Sequence, residues 1–294
     1  MTQISYFDFS TKEGLDEYCR KAYTNVKLFE RIFRTSAENL CDSGFEIPDA
    51  NKELIKNIAN ITGLSIKTVE GINCGDEALD LNGGLSFGCT AIAKNGCVGQ
   101  TLDFFTVELA LVREADCLYI TMPPYLCLIG MNQNLAFCTN YIGGKVQSGI
   151  PISHLRRNIL RHKTITEVLD YLNKVEKTSP ANFLLCDPKH TIDIESCPKG
   201  ITKYEEECFA HTNHILNGTI FSKEPCARLQ RAGHLLKNND TIEHILEDNK
   251  VKVPITKFAK GTGFGSIIQV IMDTNKKEIK YKDSHMKEYE IMRV

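Results

Sequence analysis

Between residues 11 and 40, apolar side chains recur at steps of three and four: Leu15, Tyr18, Cys19, Ala22, Val26, Phe29 and Phe33. That spacing gathers them on one face and predicts an amphipathic helix. Leu54, Ile55, Ile58 and Ile61 repeat the pattern and predict a second helix over 50–61. Residues 65–88 are mixed and end in the turn-prone run Asn82-Gly83-Gly84. The character changes at Cys89. Residues 89–93 and 97–101 read as strands, joined by Lys94-Asn95-Gly96 as a hairpin turn. Further strands are expected at 106–112, 117–122, 126–131 and 135–140. Helices follow at 151–162 and 165–177, the second opening on Thr164 and Glu167 at capping-box spacing. Strands resume at 182–186, 190–195 and 206–210, then helices at 226–237 and 241–248, with Asp240 ahead of Glu243. Strands at 266–273, 278–282 and 288–293 close the chain.

Strands and helices thus come in blocks and not in βαβ alternation. That argues for an α+β architecture with largely antiparallel sheets and helices packed outside them. No repeat, low-complexity tract or Pro/Ser-rich linker divides the 294 residues, so one domain is the simpler reading. With 35 basic against 37 acidic side chains, nothing draws the chain as a whole to nucleic acid or to an anionic membrane. A hydrophobic content of 42% excludes large-scale disorder, and the longest apolar runs fall far short of a membrane helix. The opening MTQISYFDFSTKEG has no basic segment followed by an apolar one, so a cytoplasmic protein is expected.

Twelve cysteines without an export signal read as mostly buried, reduced thiols. No two are separated by only two residues, and His211 and His214 sit one short of the i, i+4 spacing of helical zinc proteases. Neither a metal nor a cofactor is expected. The two histidines read as structural.

Chance alone supplies a Gly-Cys pair in a chain with 20 Gly and 12 Cys, and this one has two, Gly88-Cys89 and Gly96-Cys97. Context separates them. Cys89 begins the first strand after a helical segment, and the hairpin that follows leads back to Asp103. Cys97 only opens the returning strand, which suits a packed thiol. A glycine ahead of Cys89 admits unusual backbone angles and close approach to its carbonyl.

Phe87-Gly88-Cys89-Thr90-Ala91, Asn95-Gly96 and Gly99-Gln100-Thr101-Leu102-Asp103-Phe104-Phe105 resemble the penicillin acyltransferase family of N-terminal nucleophile (Ntn) hydrolases. Choloylglycine hydrolases and penicillin V acylases are more distant relatives. Val69-Glu70-Gly71-Ile72, Gly130-Met131-Asn132 through Asn140, and Pro180-Ala181-Asn182-Phe183 extend the resemblance. So do His211-Thr212-Asn213-His214, Arg228-Leu229-Gln230-Arg231 and Ile271-Met272-Asp273. The ordered set covers about residues 65–294. The first 60 residues show no such match, and Leu102 stands where the family often has an aromatic.

The resemblance implies a four-layer αββα sandwich made as a precursor that cuts itself between Gly88 and Cys89. Residues 1–88 would form a helical pro-segment or small subunit and residues 89–294 the catalytic large subunit. The new α-amine of Cys89, with a reference pKa of about 7.7–8.0, can then take the thiol proton without a histidine. In the implied site, Asp103 accepts a hydrogen bond from the Cys89 ammonium and orients it. Asn213 and Asn140 donate to the tetrahedral oxyanion, and Arg228 lies near the nucleophile, favouring thiolate. Gln100 departs from the arginine of bile-salt and penicillin V hydrolases, which favours the acyltransferase-like branch. The expected substrate is a small-molecule or short-peptide amide, with an acyl-coenzyme A donor as a further partner. Whether water or an amine resolves the Cys89 thioester is open. So is whether residues 1–64 shape a substrate entrance or cover the site before maturation.

Two other readings compete. A papain-like pair would activate Cys89 through His211, oriented by Asn213, with no chain cleavage. An inactive Ntn-fold binding protein or thiol-rich scaffold would need neither. The run Gly261-Thr262-Gly263-Phe264-Gly265-Ser266 lacks a P-loop lysine and reads as a loop. Arg156-Arg157, with Arg161-His162-Lys163, reads as a solvated helix face, with attraction of a coenzyme A phosphate as the lesser alternative.

Overall fold

The structure is a computed structural model. It describes residues 4–33, 35–41, 44–82, 88–216, 227–249, 252, 254–258 and 264–294. The expected turn at Gly83-Gly84, Phe87 of the motif, the side chain of Phe33 and positions 261–263 of the glycine-rich run lie outside the described residues.

The chain opens with β1 (Ile4–Asp8), α1 (Lys12–Phe33), a 3-10 turn (Ala37–Cys41), α2 (Asp49–Thr62), α3 (Ile66–Ile72) and α4 (Gly75–Leu81). Six strands follow: β2 (Thr90–Lys94), β3 (Cys97–Phe105), β4 (Leu109–Glu114), β5 (Cys117–Thr121), β6 (Ile129–Asn132) and β7 (Ala136–Tyr141). Then come α5 (Ile152–Ile159), α6 (Ile165–Lys174), β8 (Ala181–Cys186), β9 (Thr191–Cys197), β10 (Gly200–Glu205) and β11 (Cys208–His211). The last elements are α7 (Ala227–Lys237), α8 (Ile242–Leu246), β12 (Phe264–Asp273), β13 (Glu278–Lys282) and β14 (Glu290–Arg293).

Eight strands in the order β1-β4-β5-β6-β7-β8-β9-β10 form one sheet, and β11-β2-β3-β12-β13-β14 form the other. Pairing is antiparallel except between β1 and β4. The alternation along each strand assembles the layers. Leu109 and Leu111 of β4, with Ala136 and Cys138 of β7, face Ala91, Val98 and Leu102 of the second sheet. Ala110, Val112 and Phe137 point the other way, onto Tyr18, Ile55, Ile58, Leu155 and Val168 of the covering helices. On the far side, Ile92 and Ile271 pack on Ala232, Leu235 and Ile245 of α7 and α8. The result is a four-layer αββα sandwich of α+β class.

Several sequence expectations shift. The helix expected over 11–40 closes by Phe33, and residues 37–41 form a separate 3-10 turn. The mixed stretch after residue 65 folds as α3 and α4, and two strands, β1 and β10, were not anticipated. The strand expected at 106 starts at Leu109. The hairpin turn forms on Asn95 and Gly96, both left-handed at φ 53° and 74°, which is why that dipeptide suits a two-residue connection. Helix α6 is capped by Thr164, whose side chain accepts the Glu167 N–H, as the spacing predicts. For α8 the cap is Thr241, not Asp240. The reading of Arg156 and Arg157 as solvent-facing is overturned: they are 3% and 4% exposed. Arg156 forks onto Asp76, and Arg157 reaches Glu114 and Tyr119. Among the described residues, no helix is long and apolar enough to cross a membrane.

Candidate active site

Cys89 immediately precedes β2, and its side chain joins the apolar layer between the sheets. Thr90 pairs with Thr101 across the hairpin, which returns β3 so that Asp103 lies alongside Cys89. The Asp103 N–H donates to Cys89 Sγ at 3.4 Å. Burial pushes the Cys89 thiol up to about 12, and the Asp103 charge adds to this against the opposing pull of the Asp103 N–H and Arg228. The sulfur of the uncut chain is therefore a thiol at neutral pH.

Asp103 is held by the Ser266 hydroxyl, which donates to Oδ1 at 2.8 Å. Burial raises its carboxyl to about 6, with Ser266 and Arg228 opposing the shift. Gly88 is pressed against this group: a Cβ there would lie 2.5 Å from Asp103 Oδ2. Glycine is thus the residue that lets the carboxylate reach the Gly88–Cys89 junction.

Arg228 projects from the first turn of α7 and donates through Nη1 to the Gly88 carbonyl. The same nitrogen meets the Cys89 carbonyl and Thr90 Oγ1, each at 2.9 Å. Asn140, at the end of β7, donates its amide to the Cys89 carbonyl at 3.1 Å. Asn213 stands one step back. Its amide donates to the Tyr141 carbonyl at 2.9 Å, and its oxygen accepts from Arg228 at 3.3 Å. So Cys89, Asp103, Asn140 and Arg228 meet directly, and Asn213 joins them through Arg228 and Tyr141.

His211 is buried with both ring nitrogens committed elsewhere, Nδ1 to the Thr212 carbonyl at 2.6 Å and Nε2 to Glu195 at 3.4 Å. Its ring stacks on His214 at 6.0 Å. Among the described residues, no group of three His, Cys, Asp or Glu side chains is placed to hold a metal.

A cavity of about 90 Å³ opens beside Cys89 and Asp103. Leu102, Phe104, Met122, Leu128 and Ile267 give it apolar walls, while Asp76, Arg156 and Tyr125 bring a buried polar group to it. Phe29, Gly75, Asp76 and Leu79 come from the segment before the junction. The sequence left open whether residues 1–64 shape a substrate entrance, while Gly75, Asp76 and Leu79 fall in the stretch that read only as mixed.

A sequence model of the family "Acyl-coenzyme A:6-aminopenicillanic acid acyl-transferase" matches residues 117–283, more than half of the chain. The chain belongs to this acyl-transferase family. The match begins after Gly88 and Cys89, so their roles in the acyl-transferase reading rest on the geometry above. A comparison with curated proteins finds no match. Among solved structures, the fold is similar to penicillin V acylase from Agrobacterium tumefaciens, with a TM-score of 0.50 at 11% identity. That alignment covers 70% of this chain and 86% of the acylase. A mutant of the conjugated bile acid hydrolase from Clostridium perfringens aligns with a TM-score of 0.49 at 11% identity, over 70% of this chain and 92% of that one. The αββα sandwich thus has the Ntn-hydrolase fold seen in the penicillin V acylase.

Proposed function

We propose that the chain is a self-cleaving amidohydrolase or acyltransferase whose nucleophile is the Cys89 thiol. The observation that carries this reading is the Gly88–Cys89 junction itself. Its thiol, a carboxyl raised toward neutrality and a cationic donor on the scissile carbonyl meet at one peptide bond.

In the precursor the backbone nitrogen of Cys89 is an amide and cannot act as a base. Asp103, at about 6, takes the thiol proton as Sγ attacks the Gly88 carbonyl carbon. Arg228 meets the developing oxyanion. Breaking the C–N bond returns a proton to nitrogen and leaves a thioester between Gly88 and Cys89 Sγ. Water then releases the Gly88 carboxylate and restores the thiol. Departure of Gly88 frees the space against Asp103, where the new ammonium would be oriented.

In the mature protein the α-amine is the base. The thiol attacks a substrate acyl carbon, the leaving amine takes the proton, and the Cys89 thioester is resolved by water or by an acceptor amine. The apolar cavity suits the acyl group of a small amide. An acyl-coenzyme A donor would load the same thiol, but its phosphates would not find Arg156 or Arg157, both buried and paired. The papain-like alternative is disfavoured by the commitments of His211.

The two pieces, residues 1–88 and 89–294, would stay together. Helix α4 grips the larger piece: Asp76 holds Arg156, Glu77 accepts the Ile152 N–H at 2.9 Å, and Asp80 accepts the Gly144 N–H at 3.0 Å. Intact mass of the purified protein tests the proposal. Two chains are expected, the larger carrying a free α-amine on Cys89; a single uncut chain in active material would refute it.

Asp103 also gives a pH prediction. Its folded value of about 6 lies above the unfolded carboxylate value near 3.9, so the folded state binds its proton more tightly. Stability is therefore lost as pH rises through about 4 to 6 and stays lower above that window. In an uncut Cys89→Ala background, Asp103→Asn should raise stability at pH 7 by about 1–3 kcal/mol, with no gain at pH 4. Thermal melts across that range measure the gap; a gap independent of pH would contradict the buried-carboxylate account.

A further inference from the structure

Gln100 of β3 is fully buried between the sheets, where its side chain hydrogen-bonds the Cys89 thiol and both halves of its amide meet one residue of the facing layer. Its Nε2 donates to the Thr139 carbonyl, and its Oε1 accepts the Thr139 N–H at 3.0 Å. The reason lies in the ladder. Strand β6 pairs with β7 at Gly130–Phe137 and Met131–Ala136, so beyond Phe137 that edge of β7 has no strand beside it among the described residues. On the other edge β8 continues through Tyr141. Buried backbone groups demand partners. Gln100 supplies them by imitating a residue of the missing strand, across the layer and not within it.

Two residues along, Tyr141 is fixed from a different direction. Its hydroxyl donates to Asp80 of α4, which also accepts from the Gly144 N–H and the Ser179 hydroxyl. Between these two holds stands Asn140, wholly buried, with its amide on the Cys89 carbonyl.

We propose that Gln100 and Asp80 are positioning residues, which pin Thr139 and Tyr141 on either side of Asn140 and so fix its amide donor on the nucleophile. The inference rests on the self-cleavage reading above and assigns it two residues, Gln100, which also hydrogen-bonds the thiol, and Asp80, which acts only through Tyr141. One hold comes from the nucleophile's own hairpin and the other from the segment before the junction. Geometry at Asn140 therefore depends on the 1–88 segment being in place.

The test uses the chain's own Gly88–Cys89 bond as substrate and follows precursor conversion by intact mass in the full-length protein. Gln100→Met keeps the length and loses its hydrogen bonds; it is expected to slow conversion about 10²-fold, as a donor displaced by about 1 Å does. Tyr141→Phe, which leaves the sheet ladder untouched, should slow it about 10-fold through loss of the Asp80 hold and serves where Gln100→Met does not fold. The deciding readout is coupling to Asn140. Asn140→Ala combined with Tyr141→Phe should be no slower than Asn140→Ala alone, because a donor that is gone cannot be misplaced. Losses that multiply, or single variants that convert at the wild-type rate, overturn the inference. So does wild-type conversion by Asn140→Ala. A wild type that never cuts overturns the self-cleavage reading and this inference with it, whereas a cut wild type with multiplying losses overturns this inference alone.

Discussion

Cys89→Ala is expected to purify as one uncut chain of 33.1 kDa that turns over no amide. The substitution removes the single atom that attacks in both stages, and nothing beside it among the described residues can take over. The buried thiol has no hydrogen-bonded imidazole, because His211 is engaged by Thr212 and Glu195. Arg228 polarises the Gly88 carbonyl but offers no lone pair, since a guanidinium cannot be deprotonated in a protein. Removing a covalent nucleophile costs on the order of 10⁶ in kcat where the cycle depends on it, and here it also forestalls formation of the amine that serves as base. The fold should tolerate the change, as Cys89 contributes one small side chain to a large apolar layer. Cys97→Ala is the control. Cys97 belongs to the second Gly-Cys pair, half-buried on the returning strand, and its variant should be cut and active. Intact mass with an electrophile that labels thiols distinguishes the two; cleavage in Cys89→Ala would remove the nucleophile from the account.

The difference between the two pairs was legible because it depends on local order. A glycine, a thiol, an Asn-Gly turn and an aspartate lie within one hairpin, and antiparallel pairing carries Asp103 back to Cys89. Strand alternation was legible for the same reason, although burial on both faces blurred its edges. The parts that escaped are those fixed by partners far along the chain. Strand β10 reads Gly-Ile-Thr-Lys-Tyr-Glu, with no residue fully buried and no apolar alternation to announce it. Strand β1 is a five-residue parallel edge whose pairing with β4 spans a hundred residues of chain. Gln100 was visible as a departure from an arginine, but its task depends on where β6 happens to begin. Arg156 and Arg157 were misread because a charged pair on a helix is ordinarily solvated. Their acidic partners, Asp76 and Glu114, lie on α4 and β4. Periodicity reports which face a residue occupies within its own element and is silent on a counter-ion contributed by another.

That misreading leads to the second large effect. Arg156→Met is expected to destabilise the protein by about 3–5 kcal/mol, the cost of leaving one member of a buried ion pair alone. Arg156 donates to both Asp76 oxygens at 2.8 Å and to the Tyr125 hydroxyl at 2.9 Å, and its side chain is 4% exposed against 11% for Asp76. A methionine would fill much of the volume and leave the carboxylate facing an apolar cavity. For a chain of this size each kcal/mol moves the melting midpoint by about 2–4 °C, so a fall of roughly 10 °C should be visible in a thermal melt. Asp76→Leu combined with Arg156→Met should recover most of the loss, since replacing a buried pair by apolar residues is often neutral. If the single variant melts like the wild type at pH 7, the pair is not the hold that ties α4 to the larger piece. The dependence of the cavity beside Cys89 on that helix would then have to come from Glu77 and Asp80 instead.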